Sequence, residues 1–184
     1  MREIEYTVAP EDDSREVKRV IRTRMGVSHR QLGSLKAANG VRVNGEPVHA
    51  NYVVHAGERI ALSLPEEPTG AAEACEGPVD IVYEDDDLMV LNKEAPLACQ
   101  SSDRQPKHSL ENRLAYLFEQ RGQPFLFRPV NRLDRGTSGL MVAAKHAHAQ
   151  NLLQAQLHTP DFRREYLAIL AGSPPREQGT VDAP

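Results

Sequence analysis

Between residues 65 and 78 the chain reads PEEPTGAAEACEGP, rich in Pro, Gly, Ala and Glu and without any apolar period. A stretch of that composition has no face to bury, so it reads as an acidic, flexible linker. It forces the rest of the chain into two separate cores, over residues 14–65 and 79–184. The 184 residues, 40% of them hydrophobic, suffice for two small units. No apolar run approaches the ~20 residues that span a bilayer. The opening MREIEYTVAPEDDS has no apolar secretion core. Cys75 and Cys99 form no CxxC pair, so neither a disulfide framework nor a zinc site is expected. The expected location is the cytoplasm, with no membrane partner.

The average charge of −4 hides an asymmetry. Residues 14–65 carry nine cationic side chains against three carboxylates, a surplus of +6, which leaves −10 for the remainder. So lopsided a segment is a candidate phosphate-binding surface, the bland alternative being a solvated helix face. Its pattern is orderly. Ser14 is expected to cap a helix whose apolar face is Val17, Val20, Ile21 and Met25. Ser28 with Gln31 forms a capping box for a second helix carrying Leu32 and Leu35, closed by Asn39-Gly40. VRVNGEPV predicts a hairpin turning at Asn44-Gly45, and ERIALSL a closing strand. Two basic helices followed by this hairpin resemble the S4 RNA-binding domain. That resemblance implies RNA contacts from Arg19, Arg22, Arg30 and Lys36.

In the second segment IVYEDDDLMVLNK predicts strand, turn, strand. Asp85, Asp86 and Asp87 fit a turn that bonds its own backbone better than a metal cluster, because a divalent ion needs carboxylates from more than one element. HSLENRLAYLFEQR predicts a helix capped by Ser109, with Leu110, Leu114, Leu117 and Phe118 inward. HAHAQNLLQAQL predicts another. His146 and His148, two apart, do not share a helix face and make a poor metal pair. RREYLAILAG is expected to close the segment as a strand.

The chemistry concentrates in PVNRLDRGTSGLMVAAK, residues 129–145. A nucleophile elbow needs G-x-S-x-G. Here Gly136 and Gly139 miss that frame by one residue, which argues against Ser138 as a hydrolase nucleophile. On extended backbone Arg132 and Asp134 share a side, so Arg132 is expected to keep Asp134 ionised, as a nucleophile or base requires. Ordinary glycosidases use two carboxylates, and no second acid stands in a comparable setting. A lone carboxylate suits a reaction in which the cleaved base is re-attached. The glycines of GTSG allow a tight turn, and LMVAA a buried strand behind it.

RPVNRLDRGTSGLMVAAK, preceded by IVYEDDDLMVLNK and followed by RREYLAILAG and GTVDAP, resembles the signature of the RluA-type RNA pseudouridine synthases. The resemblance covers nearly all of residues 79–184. It implies isomerisation of uridine to pseudouridine in RNA with no cofactor and no metal. The family's catalytic Asp falls on Asp134. Its Arg falls on Arg132, which helps displace the target nucleotide. Its Tyr falls on Tyr166, packing on the flipped base. The sequence departs from the family at Asn131, where many members have His, and in NKEAPLACQ. Members also continue beyond GTVDAP, so the chain is expected to be C-terminally truncated, holding the N-terminal part of a catalytic domain.

The expected fold is therefore α+β: a small S4-like RNA-binding domain over 14–65, a linker over 66–78, and a partial, mixed, mainly antiparallel-sheet catalytic domain over 79–184. The expected partner is structured RNA, ribosomal RNA first and transfer RNA second, bound by a monomer. The alternative is a non-catalytic RNA-binding protein with a truncated, inactive second domain.

Overall fold

The computed structural model describes residues 2–66, 68–102, 107–173 and 176–182. The fold is α+β, and its strand ladders run antiparallel throughout. The chain opens with strand β1 (Arg2–Thr7) and a short 3-10 turn, followed by β2 (Arg15–Glu16), helix α1 (Val17–Arg24) and α2 (His29–Ala37). Then come β3 (Val41–Val43), β4 (Glu46–Pro47), β5 (Val53–Val54) and β6 (Arg59–Leu64). The first sheet has the order β1-β6-β3-β4, and β2 pairs with β5. Helices α1 and α2 cover it, burying Val17, Val20, Ile21, Leu32 and Leu35 against Ile60 and Leu62.

Local signals hold where they are self-contained. The Ser28–Gln31 capping box forms in both directions, and Asn44 and Gly45 take φ of 51° and 88°, as a two-residue hairpin turn demands. Ser14 does not cap α1. It sits at φ 59° with its hydroxyl donating to Asp13, because residues 15–16 are drawn into the ladder with β5 and the helix begins after them at Val17, with Glu16 at the N-cap position. Strand β1 lies upstream of the boundary read at Ser14, and it brings acid with it. Buried Asp12 accepts from Tyr6, Arg15 and Arg24 at 2.9, 2.9 and 2.7 Å. Its Arg24 bond, against the cost of burial, holds this carboxyl below the usual range.

The second sheet holds β7 (Ile81–Glu84), β8 (Leu88–Lys93), β9 (Arg128–Pro129) and β10 (Gly139–Ala144) in the order β7-β8-β10-β9. Helix α3 (Leu110–Gln120) lays Leu110, Leu114 and Phe118 on Met89, Leu91 and Met141, and Phe118 stacks on Phe125 at 4.6 Å. Helix α4 (Ala147–Gln156) follows β10 directly, with the His146 side chain accepting from the Ala149 amide as its cap. Asp85 accepts from the Asp87 and Leu88 amides at 2.8 Å each, the turn chemistry expected of this cluster. His146 stands outside the helical backbone, so its ring lies parallel to that of His148, 6.3 Å away, despite the two-residue spacing.

Two further expectations are corrected. RREYLAILAG forms neither strand nor helix. Leu167 and Ile169 are fully exposed, and Tyr166 is 61% exposed. An apolar alternation specifies a strand only where a neighbouring edge supplies a ladder, and this segment pairs with neither edge of the sheet. The acidic connection is also less free than its composition implies: the Gly70 amide donates to Phe125 and the Cys75 amide to Asn112. Residue 67 of that connection and residues 183–184 of the GTVDAP motif lie outside the described residues. Among the described residues no helix is long and apolar enough to cross a membrane.

Candidate active site

Asp134 lies in the connection between β9 and β10, at the start of a turn closed by the Thr137 amide donating to its carbonyl at 3.1 Å. Its side chain is exposed while its neighbours are fixed. Leu133 is buried, and its amide and carbonyl both bond the Cys99 thiol, at 3.4 and 3.0 Å. The Arg135 carbonyl accepts from the Leu97 amide at 3.0 Å and from the Lys93 ammonium at 3.4 Å. The Asn131 side chain accepts from Val142 on β10 at 2.9 Å. Backbone anchors on both sides thus present one carboxylate to solvent. Of the two turn glycines only Gly139 needs to be glycine for its backbone, at φ 122°.

The expected partnership of Arg132 with Asp134 is not formed among the described residues. The Arg132 guanidinium donates instead to the Gln100 side chain at 3.5 Å. The segment is irregular rather than a strand, so the two-residue alternation that would align the two side chains does not apply. Both residues nonetheless line one cavity of about 750 Å³, with Gln100, Ser101, Ser102 and Arg135. Tyr166 does not line it, and Ser138 is exposed outside it.

A cation missed in the sequence lies beneath. Lys93 ends β8, is 1% exposed, and donates to the carbonyls of Glu94, Leu97 and Arg135 at 3.0, 2.7 and 3.4 Å. It makes no ion pair among the described residues. Burial pushes its ammonium down from the usual lysine range, opposed by attraction to Cys99, Glu94 and Asp134. A buried positive charge satisfied only by carbonyls favours an anion nearby, and Asp134 sits on the turn that Lys93 holds. The available signal was the position of Lys93 at the end of an apolar strand, where a lysine is usually solvated.

The four basic residues expected to touch RNA are distinguished by what they do not touch. Of the nine cations in residues 14–65, Arg15 and Arg24 bind Asp12, Lys18 binds Glu16, Arg59 binds Glu5, and Arg42 donates to the Gly45 carbonyl. Arg19, Arg22, Arg30 and Lys36 are exposed and make no side-chain hydrogen bond or ion pair among the described residues. They do not form one patch. Arg19 and Arg22 share a face of α1, Lys36 lines a cavity with Lys18 and His49, and Arg30 lines another between the two sheets' units.

Among the described residues no three His, Cys, Asp or Glu side chains gather as a metal site. Residues 87–184 match the family model for RNA pseudouridylate synthase. An RNA pseudouridine synthase of Bacillus subtilis, YjbO, is 34% identical over 162 residues, covering 87% of this chain and 57% of the relative. A second from Bacillus subtilis, YhcT, is 30% identical across 100% of this chain and 61% of its own length. The ribosomal large subunit pseudouridine synthase D of Vibrio parahaemolyticus is 37% identical over 145 residues, covering 78% of this chain and 44% of that enzyme. The chain therefore spans roughly two fifths to three fifths of the curated relatives it matches.

Proposed function

Because the chain belongs to the RNA pseudouridylate synthase family, we propose that it isomerises uridine to pseudouridine in RNA, with Asp134 as the catalytic group. The supporting observation is the arrangement around Asp134: an exposed carboxylate between two backbone anchors, over a buried lysine and open to a cavity wide enough for a nucleotide. In this reaction the bond from the sugar C1′ to N1 of uracil breaks and the base turns. The bond from C1′ to C5 then forms, and the proton lost from C5 is balanced by one gained at N1. Nothing is oxidised or reduced, so no cofactor is required. An ionised Asp134 serves as nucleophile or base. Arg132, on the rim of the same cavity, takes the place of the displaced nucleotide, whose unstacking costs a few kcal/mol. Tyr166 is assigned to the flipped base, which requires its exposed segment to fold over the cavity once RNA is seated.

Residues 14–65 act in this reading as an S4-like module that grips structured RNA through Arg19, Arg22, Arg30 and Lys36. Ribosomal RNA is the proposed substrate, supported by the name of the Vibrio relative, and the cytoplasm is the proposed location. The test is to map pseudouridine in ribosomal RNA treated with the protein at its natural length. Asp134→Asn is expected to lose product by at least ~10³-fold while RNA binding persists; undiminished product in that variant overturns the assignment.

A further inference from the structure

Beside the Asp134 turn lies a buried thiol that takes no part in the chemistry proposed above. Cys99 belongs to NKEAPLACQ, where the sequence departs from its family, and its residue is 6% exposed. A free buried cysteine usually behaves as a small apolar filler, and Cys99 does touch the core, with the Met141 Sδ 3.8 Å away. Its other contacts are of a different kind. The thiol donates to the Leu133 carbonyl at 3.0 Å, and the Leu133 amide donates back to the sulfur at 3.4 Å.

Leu133 lies in the connection between β9 and β10, so no strand ladder answers its main chain. Buried N–H and C=O groups are nearly always paired. Among the described residues, Cys99 is the hydrogen-bond partner of both groups and no other residue serves either. The leucine side chain is meanwhile buried in the core under the sheet. Side chain and main chain together fix residue 133, and with it the direction in which Asp134 leaves the turn.

Cys99 is itself held by the start of α3. The Glu111 amide donates to the Cys99 carbonyl at 3.1 Å, and the Leu110 amide to the Ala98 carbonyl at 2.8 Å. Ser101 donates through its amide and hydroxyl to the Glu111 carboxylate at 3.0 and 3.1 Å. A line of contacts thus runs from α3 through Cys99 and Leu133 to Asp134. The thiol borders the cavity that Asp134 lines but is too buried to meet a substrate, so its effect passes through Leu133.

We propose that Cys99 is a positioning residue for Asp134, acting by hydrogen bonds to the Leu133 main chain rather than by filling volume. The inference rests on Asp134 being the catalytic group and adds the side chain that aims it. The two roles rank substitutes in opposite order. Val fills the space and offers no bond, whereas Ser offers a donor and an acceptor but buries a polar group.

The test measures single-turnover pseudouridine formation and affinity on ribosomal RNA with the protein at its natural length. The variants are Cys99→Val, Cys99→Ser and, as a control for loosening the same core, Leu114→Val. Cys99→Val is expected to slow formation ~10- to 100-fold with affinity within ~2-fold, since a misplacement of about 1 Å at a reacting group costs on the order of 10²-fold. Cys99→Ser should restore formation to within ~3-fold of the wild type, and Leu114→Val should leave it within ~2-fold. Exchange of the Leu133 amide should quicken in Cys99→Val and recover in Cys99→Ser. A Val variant as fast as the wild type, a Ser variant slower than the Val variant, or a loss of affinity that matches the loss of rate would each overturn the proposal. An active wild type with an undiminished Val variant sinks the role of Cys99 alone. A wild type that makes no pseudouridine while the Leu133 exchange follows the expected order sinks the functional reading instead.

Discussion

The two ends of the β8–β10 ladder each carry a lysine that clamps backbone carbonyls, and they resolve its charge in opposite ways. At one end Lys145 bonds the Asp85 carbonyl at 2.7 Å and pairs with Glu84 at 3.0 Å; Arg121 joins the same carboxylate at 2.9 Å. Burial alone would raise Glu84, but its bonds from Lys145 and Arg121 outweigh that and hold the carboxyl below the usual range. This end is electrostatically closed. At the other end Lys93 is deeper, bonds only carbonyls, and faces the Asp134 turn without an ion pair among the described residues. The same sheet thus uses one lysine to neutralise a turn and another to leave a turn polarised.

Substitutions can break this contrast in graded steps. Leu91→Ala, in the middle of the ladder opposite Met141, should cost about 2–5 kcal/mol by emptying the core, and should loosen the two ends equally in hydrogen exchange. Lys93→Met should cost about 1–3 kcal/mol, because three carbonyls lose a shared donor. Its exchange protection should fall around residues 94–97 and 133–137 while the Lys145 end is unchanged, and pseudouridine formation should fall well beyond what the lost stability explains. Ser28→Ala, outside the sheet, should cost about 0.5–2 kcal/mol by chemical denaturation, from loss of the α2 cap. Glu84→Gln should cost no more than about 1 kcal/mol, since its partners remain partly solvated.

Both ends should gain stability as pH rises, but in separate windows. Glu84 is depressed in the fold, so its contribution is present above about pH 4.3, the unfolded value, and is lost as pH falls further. Lys93 is depressed as well. The unfolded chain therefore binds more protons in the window below about pH 10.4, and stability gained at this lysine rises with pH there. Unfolding of the wild type, Glu84→Gln and Lys93→Met across pH separates these: the first variant should flatten the acid limb, the second the alkaline one. Swapped or absent differences would refute the contrast.

How far the sequence reaches is visible in individual residues. The Ser28–Gln31 box, the Asn44-Gly45 turn, the Asp85 turn and the Ser109 cap were all legible, because each is decided by groups within four residues of one another. The turn at Asp134 was legible as a pattern: one acid among arginines before a glycine turn and an apolar strand. The identity of its charged neighbour was not, since Arg132 is two residues away in sequence yet turns to Gln100, while Lys93 is 41 positions upstream and lies under the turn. The basic surplus of residues 14–65 was legible, but which four cations stay free depends on where Glu5, Glu11, Asp12 and Glu16 arrive.

By itself the sequence determined most of the elements, the self-contained caps and turns such as the Ser28–Gln31 box and the Asn44-Gly45 turn, and the carboxylate at the centre of the candidate site. These follow from local hydrogen bonding and from the period of apolar residues, which are properties of short windows. Only the tertiary structure decided that a buried lysine lies under the Asp134 turn while the adjacent Arg132 turns to Gln100. It alone decided that Tyr166 stays outside the cavity that Asp134 lines. Charge and burial act through space, and the residues that exchange them here are brought together by strand pairing and helix packing across tens of positions.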